Sequence, residues 1–365
     1  MVYSGVMRSR GSIRRPLAWL LPLAAALGLL SCAGAVPGRR DAVRLPSAAA
    51  LAAAYDPLHP YPNSSFLEVE GNRLHFLTWR PAPGSEARGK ALLLHGFAAS
   101  VYCWRFLAPA LAELGFLVVA VDCPPFGWSE PSRAELEGRV PGNPESHAAL
   151  IWSFLDALDA AAATEGTALP ALPALPAGGA SPDKGWLLVG HSLGGRMAAW
   201  MAASRPRDVS RLVLIAPAVF GRIGAPALAA SPLFQGLLPR ELDALLHDES
   251  AIRSALGRVY GRKPDAGELA GYWAPLLRAG GLPAFVAWST TASEARSPPL
   301  AAIDVPTLVL WGGADSIVKP EAARLAASLP DAIAVTIAGA GHCVMETRFG
   351  EAWMALQRFL GPPPP

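Results

Sequence analysis

Charge is scarce in this chain of 365 residues: Asp, Glu, Lys and Arg make up 16%, and 31 basic residues nearly balance 29 acidic ones. Nucleic-acid binding needs a concentrated basic patch, and no such patch is present, so a nucleic-acid partner is excluded. Cysteine is scarce too. Cys32, Cys103, Cys123 and Cys343 show no C-x-x-C or His-plus-Cys spacing that suggests zinc. The three beyond Cys32 cannot all pair within the chain; one disulfide is compatible with the count, and Cys343 is expected as a small buried thiol. Long apolar runs are also lacking. The longest candidate, residues 16–30, is shorter than the roughly 20 residues that cross a bilayer.

That apolar run follows Arg8, Arg10, Arg14 and Arg15 and ends at Ser31-Cys32, the layout of an export signal. Leu29-Leu30-Ser31-Cys32 resembles the lipobox of bacterial lipoproteins, which implies a signal peptide over residues 1–31 and a lipid on Cys32. A simple secretory signal cut near Ala33 to Ala35, and an uncleaved anchor, are the alternatives. All three place the folded part outside the cytoplasm, in or beyond a bacterial cell envelope. Removing residues 1–31 leaves 27 basic against 29 acidic residues, so the net charge of +2 becomes about −2. The basic balance belongs to the signal.

Residues 32–61 are rich in Ala and Pro and read as a flexible tether. Beyond them, residues 66–70 and 73–79 alternate apolar and polar positions around Gly71-Asn72, the pattern of an antiparallel hairpin. Six further apolar runs follow, at 91–94, 116–121, 186–189, 212–215, 307–310 and 332–337, separated by helical segments that include 104–114 and 147–163 and followed by a last amphipathic helix at 346–360. Runs of that composition are buried parallel strands with helices on both faces. Residues 169–183, with repeated Leu-Pro-Ala, are expected as an inert loop. The stretch 219–299 breaks the alternation and carries helical patterns at 237–246, 250–260 and 268–277. It is expected to form a lid over a core made of residues 62–218 and 300–361, because ligands of open α/β sheets bind at the carboxyl ends of strands. Phe234, Leu237, Leu238, Trp273, Leu276, Leu277, Phe285 and Trp288 supply its apolar surface.

Chemistry is concentrated at Gly190-His191-Ser192-Leu193-Gly194, between a buried-strand run and a run of small helix-favouring residues. This is a G-x-S-x-G nucleophile elbow in the strand–turn–helix context it requires. A serine hydroxyl needs a histidine to take its proton and an acid to orient that histidine. Asp315 follows the 307–310 strand, and His342 follows the last strand, in the order Ser, Asp, His. Ala216-Pro217-Ala218 offers no carboxylate after the preceding strand, and Asp304 lies ahead of a strand rather than behind it. His59, His75, His95, His147, His191 and His247 are expected to be structural or solvated. Backbone N–H groups of Leu193 and Phe97 are the expected oxyanion donors.

With these residues in place the chain resembles the serine α/β-hydrolases over about residues 66–361, through His95-Gly96, Asp122-x-Pro124-x-x-Gly127-x-Ser129, the elbow, Asp315 and His342. The resemblance implies an α/β-hydrolase fold: an eight-stranded, mostly parallel sheet, helices on both faces and a helical cap after the sixth strand. It also implies an esterase- or lipase-like enzyme that forms an acyl-enzyme on Ser192 and needs no metal or organic cofactor. Its expected partners are a small-molecule ester and, through Cys32, a membrane. A C–C bond hydrolase or thioesterase on the same fold, and a non-catalytic small-ligand-binding relative, remain the alternatives. Ser192 in place of an aspartate argues against the haloalkane dehalogenase and epoxide hydrolase branches. Pro125 stands where the family pattern has glycine, and a different path for the 122–129 loop is expected from its fixed φ.

Overall fold

A computed structural model describes residues 60–82, 88–140, 142–162, 185–220, 246–278 and 296–362, with isolated positions between 244 and 288. The signal segment with Cys32, the tether to residue 59 and the 169–183 loop lie outside the described residues, as do Phe234, Leu237, Leu238 and Phe285.

Eight strands form one sheet: β1 Ser65–Val69, β2 Asn72–Trp79, β3 Gly89–Leu94, β4 Phe116–Val121, β5 Trp186–His191, β6 Val209–Ile215, β7 Thr307–Gly312 and β8 Ala332–Ile337. Their order is β1-β2-β4-β3-β5-β6-β7-β8. Pairs β1–β2 and β2–β4 are antiparallel and the rest are parallel, so the sheet is mostly parallel, as expected. The hairpin turn is one residue earlier than the Gly71-Asn72 of the sequence reading. Glu70 (φ 51°) and Gly71 (φ 75°) make the bend, the twist-matched geometry of a two-residue hairpin loop. Asn72 opens β2, and its side chain bonds Val69 O at 3.3 Å and accepts from Ser132 N–H at 2.7 Å.

The helices are α1 Leu107–Glu113, α2 Arg133–Leu136, α3 Pro144–Ala162, α4 Leu193–Ser204, α5 Glu249–Tyr260, α6 Ala266–Leu276, α7 Ala322–Ala326, α8 Val344–Thr347 and α9 Phe349–Leu360. Local chemistry moves three boundaries from their expected places. Ser100 caps a 3₁₀ turn at Val101–Trp104, which delays α1 to Leu107. Asn143 accepts from the N–H groups of Glu145 and Ser146, and Pro144 takes the first helical position, which advances the start of α3. The final helix is divided at Arg348, whose φ of −134° is not helical.

Successive side chains of the central strands enter opposite layers. Leu92, Leu188 and Leu214 pack with Phe154 of α3 and Met197 of α4; Leu93, Val189 and Val213 pack with Leu111 of α1 and Leu356 of α9. Both faces are therefore buried, which explains the unbroken apolar runs of β3 to β7. Helices α5 and α6 leave from the carboxyl side of β6 and add Leu256, Tyr260, Leu269 and Trp273 to the second layer.

At the end of β4 the carboxylate of Asp122 is fully buried. It pairs with His75 Nδ1 of β2 at 2.8 Å and accepts from Val101 N–H at 2.6 Å and Trp128 N–H at 2.8 Å. Ser129 Oγ donates to Asp122 O and accepts from His75 N–H. One residue thus ties together β2, the turn after β3 and the loop after β4. Burial pushes the Asp122 carboxyl upward, but His75, His95 and the Trp128 N–H outweigh it and hold the pKa below its ordinary value.

Removing this carboxylate strands three buried donors. Asp122→Ala is expected to lower stability by about 3–5 kcal/mol, read from urea unfolding at pH 7. A depressed folded pKa gives stability that is complete above the unfolded value of about 3.9 and lost as pH falls through the folded value. The stability gap between wild type and Asp122→Asn should therefore narrow on acidification below pH 4; a gap independent of pH would contradict this assignment.

Candidate active site

Strands β3 to β8 run parallel, so their carboxyl ends share one edge, and every sequence-derived site residue among those described lies there. Ser192 stands between β5 and α4 at φ 54°, ψ −114°, a backbone region that side-chain-bearing residues rarely adopt. Its N–H donates to Ile215 O at 2.9 Å, and its carbonyl accepts from Ala218 N–H at 3.0 Å. The elbow is knitted to the end of β6. Its glycines are required by contact: a Cβ on Gly190 would lie 2.4 Å from Gly194 O, and one on Gly194 would lie 2.1 Å from Leu94 O. Gly195, which the motif does not include, is equally constrained, 2.6 Å from Pro217 Cβ by the same measure.

Asp315 and His342 come together. Asp315 Oδ2 is 2.7 Å from His342 Nδ1 and also accepts from Trp311 Nε1 at 3.1 Å, while Oδ1 accepts from Ile317 and Val318 N–H at 2.8 and 3.0 Å. A carboxylate oxygen accepts, so Nδ1 of His342 is the donor of this pair and Nε2 faces away from Asp315. Ser192 and His342 are 8% and 4% exposed. The ring of His191, next to Ser192 in the chain, lies 4.6 Å from the ring of His342.

The loop after β3 approaches the elbow at Gly96, where a Cβ would be 3.1 Å from Ser192 Cβ. Phe97 follows, in a turn closed by Ala99 N–H to Gly96 O, with Ala98 at φ 53°. Leu193 opens α4, so its N–H has no acceptor earlier in that helix. The segments that carry the two expected oxyanion donors therefore both adjoin the serine. Over them lies an aromatic cluster: Phe97, Phe126 and Trp288 have ring centroids 5.2–5.5 Å apart and pack with Leu193. Phe126 was not singled out by sequence; its only signal was a position beside Pro125.

The 122–129 loop turns through Phe126 N–H to Cys123 O, and positive φ falls at Gly127 rather than at the proline. Arg278, at the end of α6, donates to the carbonyls of Pro125, Gly127 and Ser129 at 2.8, 2.7 and 2.5 Å. No spacing signal marks that arginine.

Among the described residues, the remaining histidines are buried against structural partners, apart from the exposed His247. His95 Nε2 accepts from Cys123 N–H at 2.9 Å and its Nδ1 meets Gly96 O, so it shapes the loop, and burial lowers its pKa. His147 pairs with Glu135 at 3.1 Å, and His247 is exposed. His191 donates from Nε2 to His342 O at 3.2 Å. Burial, and then the nearness of His342, hold its pKa well below the ordinary value, so the ring is neutral. Cys103, Cys123 and Cys343 are buried and free, and burial raises each thiol's pKa.

The chain is similar to known hydrolases. The chain is 26% identical to an uncharacterized hydrolase, YugF, of Bacillus subtilis over 274 residues, 72% of this chain and 86% of that protein. It is 26% identical to a monoacylglycerol lipase of Mycolicibacterium smegmatis over 263 residues, 72% of this chain and 81% of that one. The crystal structure of a membrane phospholipase A, a bacterial virulence factor, superposes with a TM-score of 0.58 at 25% identity, over 81% of this chain and 85% of that chain. Residues 91–353 match the alpha/beta hydrolase family, and by this match and its fold the chain belongs to that family.

Proposed function

We propose that this hydrolase cleaves a carboxylic ester with a small or apolar acyl group through an acyl-enzyme on Ser192. The observation that carries the reading is the 2.7 Å Asp315–His342 pair standing at the same sheet edge as the strained Ser192 turn. His342 Nε2 accepts the Ser192 hydroxyl proton as Oγ attacks the ester carbonyl, and later returns it to the leaving alkoxide. Asp315 holds the imidazole tautomer and stabilises the imidazolium. The N–H groups of Leu193 and Phe97 receive the charge that develops on oxygen. Water then attacks the acyl-enzyme with His342 again as base, which frees the acid and restores the serine.

The Phe97–Phe126–Trp288 cluster supports an apolar acyl subsite. The basic, apolar leader and Leu29-Leu30-Ser31-Cys32 support a lipid on Cys32 and work in the bacterial envelope. No helix of the described residues is long and apolar enough to cross a membrane.

Wild type should react with a fluorophosphonate probe at Ser192 and Ser192→Ala should not; a folded wild type that resists labelling favours a binding protein. With p-nitrophenyl esters, Ser192→Ala should lose about 10⁶-fold in kcat and Asp315→Asn about 10⁴-fold. Faster turnover of thioesters or vinylogous diketones than of any ester would transfer the assignment to those substrates. Phe126→Ala and Trp288→Ala should shift the preferred p-nitrophenyl ester to longer acyl chains, and an unchanged chain-length profile would remove the cluster from the acyl subsite.

A further inference from the structure

His342 is held by its main chain as well as by Asp315. Its N–H donates at 3.1 Å to Val259 O in the last turn of α5, and its carbonyl accepts from His191. The approach of α5 is close: a Cβ on Gly341 would lie 2.9 Å from Tyr260 O. Four residues beyond His342, Glu346 of α8 points into a buried clasp made largely by the segment between β6 and β7. Tyr260 OH of α5 donates to Oε2 at 2.7 Å, Tyr272 OH of α6 donates to Oε1 at 2.5 Å, and Arg105 completes the set. Arg105 also lies 3.6 Å from Glu268 of α6, which pairs with Arg262 at 2.6 Å. Both helices therefore grip the short α8 that continues directly from the His342 loop.

We infer that Tyr260, Tyr272 and Glu346 are positioning residues for the general base: the two inserted helices mount His342 instead of only covering substrate. The inference rests on the proposed role of His342. A cover would act on substrate affinity. A mount acts on the chemical step, since a reacting group displaced by about 1 Å costs about 10²-fold in rate.

The test is the double variant Tyr260→Phe/Tyr272→Phe, which removes two hydroxyls and little packing, with Tyr272→Phe alone should the double variant not fold. Two readouts are taken at matched thermal stability. In p-nitrophenyl butyrate hydrolysis and fluorophosphonate labelling, kcat and labelling rate should both fall about 10²-fold while KM stays within about twofold. Glu346→Gln, which still presents a carbonyl oxygen, should retain more kcat than Glu346→Leu. The second readout needs no turnover: the downfield proton resonance of His342 Nδ1–H, identified by its loss in His342→Ala, should broaden or exchange at least about tenfold faster in the double variant. A wild type inactive on esters would overturn the esterase reading and leave the resonance to decide the mount. A folded variant with unchanged kcat and resonance, or one raised in KM alone, would overturn the mount.

Discussion

Everything at the carboxyl edge of the sheet depends on one sharp turn, in which Ser192 is held at positive φ while β5 gives way to α4 with no room for side chains at its crossing points. A serine gains nothing from that conformation by itself. It is kept there because its N–H and carbonyl both bond to the β6 end, and because Gly190, Gly194 and Gly195 let backbone meet backbone and Pro217. The strain lifts the side chain to the sheet edge and aligns the start of α4 beside it. The position of Ser192 and that of the N–H groups at the start of α4 thus follow from one local geometry.

Two buried carboxylates tie together the segments around that edge. Asp122 joins β2 to the loops after β3 and β4, which fixes the path of the Phe97 loop. Glu346 joins α8 to α5 and α6, and burial raises its pKa even though Arg105 and the two tyrosines act to lower it. Glu346 has its side-chain partners 74 to 241 residues away, whereas Asp122 combines His75, Val101 and the nearby Trp128. Neither can be removed without leaving buried donors unsatisfied.

Between them, His342 is constrained at three points: Nδ1 by Asp315, N–H by Val259 and carbonyl by His191. The neutral state of His191 matters for the proposed role of His342, because a charged imidazole 4.6 Å away would oppose any positive charge on it. Arg278 performs the parallel task for the Phe126 loop through three carbonyls. The inserted segment thereby touches both the His342 loop and the Phe126 loop.

What the sequence determined alone was local. Unbroken apolar runs marked β3 to β7 because each residue there is buried on one face or the other, and the glycine pattern around Ser192 marked the elbow because only that spacing permits the crossing. Chain order then singled out Asp315 and His342, since the acid and base must follow particular strands. Boundaries were less legible where a single side chain decided them, as with Ser100, Asn143 and the Glu70-Gly71 turn. Tertiary structure alone decided that His191 holds His342, that Glu346 meets Arg105, Tyr260 and Tyr272, and that Phe126 meets Trp288. Those partners are 74 to 241 residues apart where the clasp forms, and no periodicity reports a contact that exists only once the sheet has closed and the inserted helices have packed against it.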